Sequence, residues 1–168
     1  MIESKYLKDN IQNIQKLMNI QTLKHFEARS LGKLLKLSKI REYEDGEEII
    51  KEGGRDPWFY ILLSGKIKIV KNRVAIGLID SVGEIFGEMR IIDDKSRSAS
   101  VFSVGKTMCL AIDTSAPGDN EEDDRDQRLD FLLLLYRIFA EFISIRLRLT
   151  NEKLVQTKKT LNKLTQDL

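Results

Sequence analysis

The stretch Phe86-Gly87-Glu88-Met89-Arg90-Ile91-Ile92, followed by Ser96-Arg97-Ser98-Ala99, gathers groups suited to an anion held beside a sugar. Gly87 breaks a strand, and a short apolar turn follows from Met89 to Ile92. A helix beginning there presents backbone N–H groups with no intrahelical acceptor and the positive end of a dipole, which suits a phosphate. Arg97 offers a planar fork for two phosphate oxygens. Glu88 is an acceptor suited to a ribose hydroxyl. Apolar strands on either side could hold a base. A bare Gly-Glu followed by an arginine occurs by chance in many proteins, so the argument rests on the set.

Those residues need a scaffold of short strands, and the chain reads as one. From about Ile40 to Asp113 apolar runs alternate with glycines: Glu47–Lys51, Trp58–Leu63, Lys66–Lys71, Val74–Ile79, Ala99–Val104 and Met108–Ile112. Lys66 to Lys71 alternates strictly, so it has one wet face. Gly46, Gly53-Gly54, Gly65, Gly83 and Gly87 punctuate the zone. Many short strands with glycine turns predict a roll or barrel. Before it, Ile11, Ile14, Leu17 and Met18, then Leu31, Leu34 and Leu35, recur at helical spacing, with Ser30 placed to cap the second run. After it come Thr114 to Gly118, the acidic run Asp119 to Asp124, and a segment without Gly or Pro from Gln127 to Leu168. The expected division is a helical extension (1–22), a β-roll (23–113), an acidic loop (114–126) and a C-terminal helix (127–168). The fold class is α+β: a jelly roll, double-stranded β-helix-like, of about eight short strands flanked by N-terminal helices and the C-terminal helix.

Composition narrows the function. The 168 residues carry a net charge of +2, with 42% hydrophobic and 32% charged residues, as in a globular domain. That charge gives no bulk electrostatic case for nucleic acid or a membrane surface. The single cysteine, Cys109, excludes an internal disulfide and reads as a small core residue. One cysteine and one histidine cannot assemble a metal site; His25 reads as a structural histidine on a helix. The roll has no histidine and no nucleophile set beside a base, so an enzyme is not expected and no residue is assigned as catalytic. No run reaches bilayer length and no secretory pattern opens the chain, so the expected place is the cytoplasm.

The ordered motifs resemble the cyclic nucleotide-binding domain family, which includes catabolite activator-type regulators, regulatory subunits of the cyclic-AMP-dependent kinase and cyclic-nucleotide-gated channels. The resemblance covers about Leu23 to Asp113. It runs through Phe26, Leu31 and Leu34-Leu35, then Arg41 to Ile50 and Glu52-Gly53, then Phe59 to Ile69. It culminates in Gly83-Glu84-Ile85-Phe86-Gly87-Glu88 and Arg97-Ser98-Ala99-Ser100-Val101. The separation of Glu88 from Arg97 matches family members. The resemblance implies a cyclic nucleotide, cyclic AMP or cyclic GMP, as ligand with no further cofactor. It implies that Gly87 lets the backbone approach the ligand and that amides of Glu88, Met89 and Arg90 meet the cyclic phosphate. Glu88 would take the ribose 2′-hydroxyl, Arg97 the exocyclic phosphate oxygen, and Ser98 would add a hydroxyl near phosphate or purine. The candidate site is thus Phe86, Gly87, Glu88, Met89, Arg90, Arg97, Ser98 and Ala99.

Two departures stand out. Arg90 occupies a position that is usually small in the family, and the resemblance favours an inward-facing side chain at the pocket mouth. The short helix expected after the roll is replaced by Pro117-Gly118 and the acidic run. One helical pattern fills the C-terminal segment, with no second helix, turn or wing, so no DNA-binding domain is expected there. Leu147, Leu154, Leu161 and Leu168 are spaced by seven, but the positions three residues on are Thr150, Thr157 and Leu164, a half-apolar heptad. The helix is read as the relay of ligand occupancy, meeting either a second copy or a protein effector. The competing reading is an interaction protein that keeps the roll but leaves its pocket unused.

Overall fold

The computed structural model describes residues 1–3, 32, 34–35, 37–115 and 123–166. The first expected N-terminal helical run, the start of the second with Ser30, His25 and most of the acidic run lie outside those residues, whereas Leu34 and Leu35 of the second run are helical and Leu34 is buried. The chain divides into two compact units, Met1–Leu134 and Leu135–Leu168.

The first unit is an antiparallel β-roll. Its strands are β1 (Ile2–Glu3), β2 (Ser38–Tyr43), β3 (Glu48–Ile50), β4 (Trp58–Lys71), β5 (Val74–Ile79), β6 (Ile85–Phe86) and β7 (Ser100–Asp113). A one-turn helix, α1 (Met89–Asp93), lies between β6 and β7. The main path runs β1-β2-β7-β4-β5, with β3 added to β7 and β6 to β4. Ile2 and Glu3, expected within the helical extension, instead pair with Glu42 and Arg41 of β2. Four of the expected short strands are joined in pairs into β4 and β7, each of 14 residues. Glycine explains the joining, because it bends a strand without ending it. Gly65 has φ +86°, and a Cβ there would stand 2.5 Å from the Lys106 carbonyl oxygen. The register slips around it, and the Thr107 hydroxyl closes the gap by donating to the Lys66 carbonyl at 2.9 Å.

The β4–β7 register explains why the sequence through Trp58 to Leu62 is apolar without alternation. Tyr60 stands opposite Ala111, and Leu62 opposite Cys109. With Tyr43, Ile50, Phe86 and Val101 these form one core cluster. Phe59 and Ile61 stand opposite Ile112 and Leu110 on the other face, and all four are at most 1% exposed. Each such side chain contributes about 1.5–3 kcal/mol. Cys109 is buried in this core, and burial pushes its thiol up to about 12.

The second unit is the body of α2 (Asp123–Gln166). The helix begins four residues before the expected Gln127. Leu135, Ile138, Phe139 and Phe142, spaced at three and four, are its buried stripe. Among the described residues no helix is long and apolar enough to cross a membrane.

Candidate nucleotide site

The site is assembled where three connections of the roll converge: Gly53 to Pro57, Gly87 to Asp93, and the approach to β7. Two backbone hydrogen bonds fix Arg97 against the glycine turn. The Gly53 amide donates to the Arg97 carbonyl at 2.9 Å, and the Arg97 amide donates to the Gly54 carbonyl at 2.9 Å. With its backbone held, Arg97 sends its side chain inward, where it is 2% exposed. A buried guanidinium must find acceptors for its N–H groups. Its Nε donates to Asp56 Oδ2 at 3.1 Å, and Nη2 donates to Asp56 Oδ1 at 2.5 Å, a fork-on-carboxylate pair. Nη1 donates to the Gly87 carbonyl at 2.5 Å, and Nη2 also donates to the Trp58 carbonyl. Burial alone would raise the Asp56 carboxyl, but the hydrogen bonds and charge of Arg97, with the Trp58 amide, outweigh it and hold the carboxyl below its usual range.

Gly87 is the hinge of this arrangement. Its φ is +81°, and a Cβ would lie 2.9 Å from Ile50 Cδ1 and 3.0 Å from Arg97 Nη1. Only glycine satisfies both the conformation and the close approach. Glu88 follows it and is 4% exposed; its carbonyl accepts from the Ile91 and Ile92 amides at 2.9 and 3.2 Å, starting α1. Phe86, just before the hinge, is buried and stacks on Tyr60 with centroids 5.2 Å apart. Met89 is exposed, and the exposed Ser98 sets its hydroxyl 3.8 Å from the Met89 sulfur. Ala99 is half-buried. Arg90 has only 19% of its side chain exposed. Its Nη1 reaches Asp94 Oδ1 at 3.3 Å, while its Nε is buried without a hydrogen-bond partner. The structure thus brings Gly87 against Arg97, and Met89 against Ser98.

Residues 40–116 match the model of the cyclic nucleotide-binding domain. The roll belongs to that family. This cyclic nucleotide-binding domain is 33% identical over 108 residues to the cGMP-dependent protein kinase of Plasmodium berghei (strain Anka), an alignment taking in 64% of this chain and 12% of the kinase. The chain therefore spans about one eighth of that relative's length. A solved structure of Sp-2Cl-cAMPS bound to PKAR CBD2 superposes with TM-score 0.59 at 25% identity, covering 82% of this chain and 86% of that one. The catabolite activator protein of Thermus thermophilus shares the fold, with TM-score 0.58 at 24% identity, covering 82% of this chain and 62% of that one.

Three features of the domain escaped the sequence reading. Asp56 lies 41 residues before Arg97 and meets it only through the folded roll. Its signal was an acid lodged between a double glycine and Pro57, where the pre-proline backbone is pushed to an extended shape. The Trp58 carbonyl, a backbone acceptor, carries no sequence signal. The third is Arg41, whose guanidinium sits 4.1 Å from the centroid of the Trp58 ring and donates to the Tyr60 hydroxyl at 3.2 Å.

Proposed function

We propose that the chain is a regulatory sensor that binds cyclic AMP or cyclic GMP in the roll and performs no chemistry on it. The observation that carries this reading is the buried Arg97 guanidinium, fixed beside the Gly87 hinge and the start of α1. Asp56 supplies an anion for Arg97. A cyclic phosphate carries the same charge and offers the same two-oxygen geometry, so it competes for the fork. Glu88 takes the ribose 2′-hydroxyl. Gly87 and the amides of Glu88, Met89 and Arg90 approach the phosphate, with Phe86, Ser98 and Ala99 lining the site. Arg90 adds a second guanidinium, whose buried Nε would gain an acceptor when the ligand arrives. The ligand is the only small molecule required, and α2 relays occupancy to its partner.

Thermal shift with cyclic AMP, cyclic GMP and their 2′-deoxy analogues tests the reading. At least one ribose nucleotide raises Tm, as any ligand specific for the folded state must. Its 2′-deoxy analogue raises Tm less, because a site built around a hydroxyl is left unpaired without it. Equal shifts from both forms would remove Glu88 from its assigned role.

A further inference from the structure

We infer that the outer half of α2 is a docking surface for an amphipathic helix with acidic flanks, rather than for a second copy of this chain. Leu147, Leu154 and Leu161 recur every seven residues and are 58%, 51% and 59% exposed. Ile143 and Leu164 extend the same seam and are also exposed. A seven-residue spacing keeps the row on one slowly drifting stripe, which is the contact seam of paired helices. Scattered exposed leucines need no explanation, but a continuous row marks an interaction surface.

The residues beside such a seam choose the partner. Here one side carries Ser144, Asn151, Lys158 and Thr165, and the other carries Arg146, Lys153 and Thr160. None is acidic. In a parallel pair of copies, Lys153 of one helix faces Lys158 of the other. In an antiparallel pair each side meets itself, and again no acid reaches either lysine. Thr150 and Thr157 in the seam weaken self-pairing further. From Ile143 to Gln166 the only acid is Glu152, on the face away from the seam. A second copy therefore offers neither lysine an acid, whereas a helix with glutamates beside its leucines brings charge complementarity.

The test uses the full chain and two labelled synthetic helices of four heptads. Both carry leucine along the seam; one has glutamate and the other lysine at the flanking positions. Fluorescence anisotropy is expected to show the glutamate helix binding roughly tenfold or more tightly than the lysine helix, with affinity falling as salt is raised. The exposed double variant K153E/K158E keeps the fold and reverses the preference. Sedimentation equilibrium of the full chain alone is expected to show a monomer at micromolar concentration. The inference is overturned if the two helices bind equally, if neither binds, or if the chain alone forms a dimer that Leu154→Glu dissolves.

Discussion

Arg97 and Asp56 form a fork-on-carboxylate pair, and under the proposed function the ligand uses only the arginine. Arg97→Ala is expected to abolish nucleotide binding, since truncating one side of a buried charge contact costs about 2–5 kcal/mol. Arg97→Lys rescues poorly, because an ammonium cannot span two oxygens. Calorimetric titration of the two variants checks both statements, and wild-type affinity in either contradicts the assigned site. Asp56→Ala has the opposite signature. It leaves a buried guanidinium with carbonyl acceptors only, lowering stability by about 1–3 kcal/mol, while removing the ligand's competitor. Its Tm should fall in the empty state and its affinity for the nucleotide should rise. The same carboxyl sets an acid limit. Its folded pKa lies below the ordinary value, so its stabilising contribution is present at neutral pH and is lost as pH falls from about 4 through the folded pKa. Acid unfolding of wild type and Asp56→Ala should therefore differ at neutral pH and converge only once pH has fallen below the folded pKa.

Among the elements, the turn from β6 into α1 sets the site, and Gly87 sets that turn. Gly87→Ala forces a side chain into a left-handed conformation and against Ile50 and Arg97, at a cost of about 1–3 kcal/mol. Denaturant melts should show that loss together with weakened nucleotide binding; a variant that binds normally would show that the close approach is not required. This turn was legible in the sequence because a glycine, an acid and an arginine fall within one short stretch. The strand zone was legible too, through its glycine-broken apolar runs. The length of β4 and β7 was not, because a glycine that bends a strand looks in sequence like one that ends it. Only the Gly65–Thr107 contact shows that the strands continue. The early start of α2 was hidden in the same way, since an acidic run reads equally as a solvated loop or as a first helical turn.

At the scale of the whole molecule, the roll and the helix are two compact units with different surfaces. The roll belongs to the cyclic nucleotide-binding domain family and pairs a buried arginine with the Asp56 carboxylate. The helix carries an exposed leucine row with basic flanks. Arg90→Ala is expected to lower nucleotide affinity modestly and flatten its salt dependence. An unchanged salt slope would place that guanidinium outside the ligand's field. The proposed function makes the roll a ligand-binding sensor and not a vestigial fold. Isothermal titration of the full chain with cyclic AMP and with cyclic GMP tests it most directly. Saturable binding of at least one nucleotide, one per chain and absent from Arg97→Ala, is the predicted result; no heat with either nucleotide at millimolar concentration, from a protein shown to be folded, would contradict it.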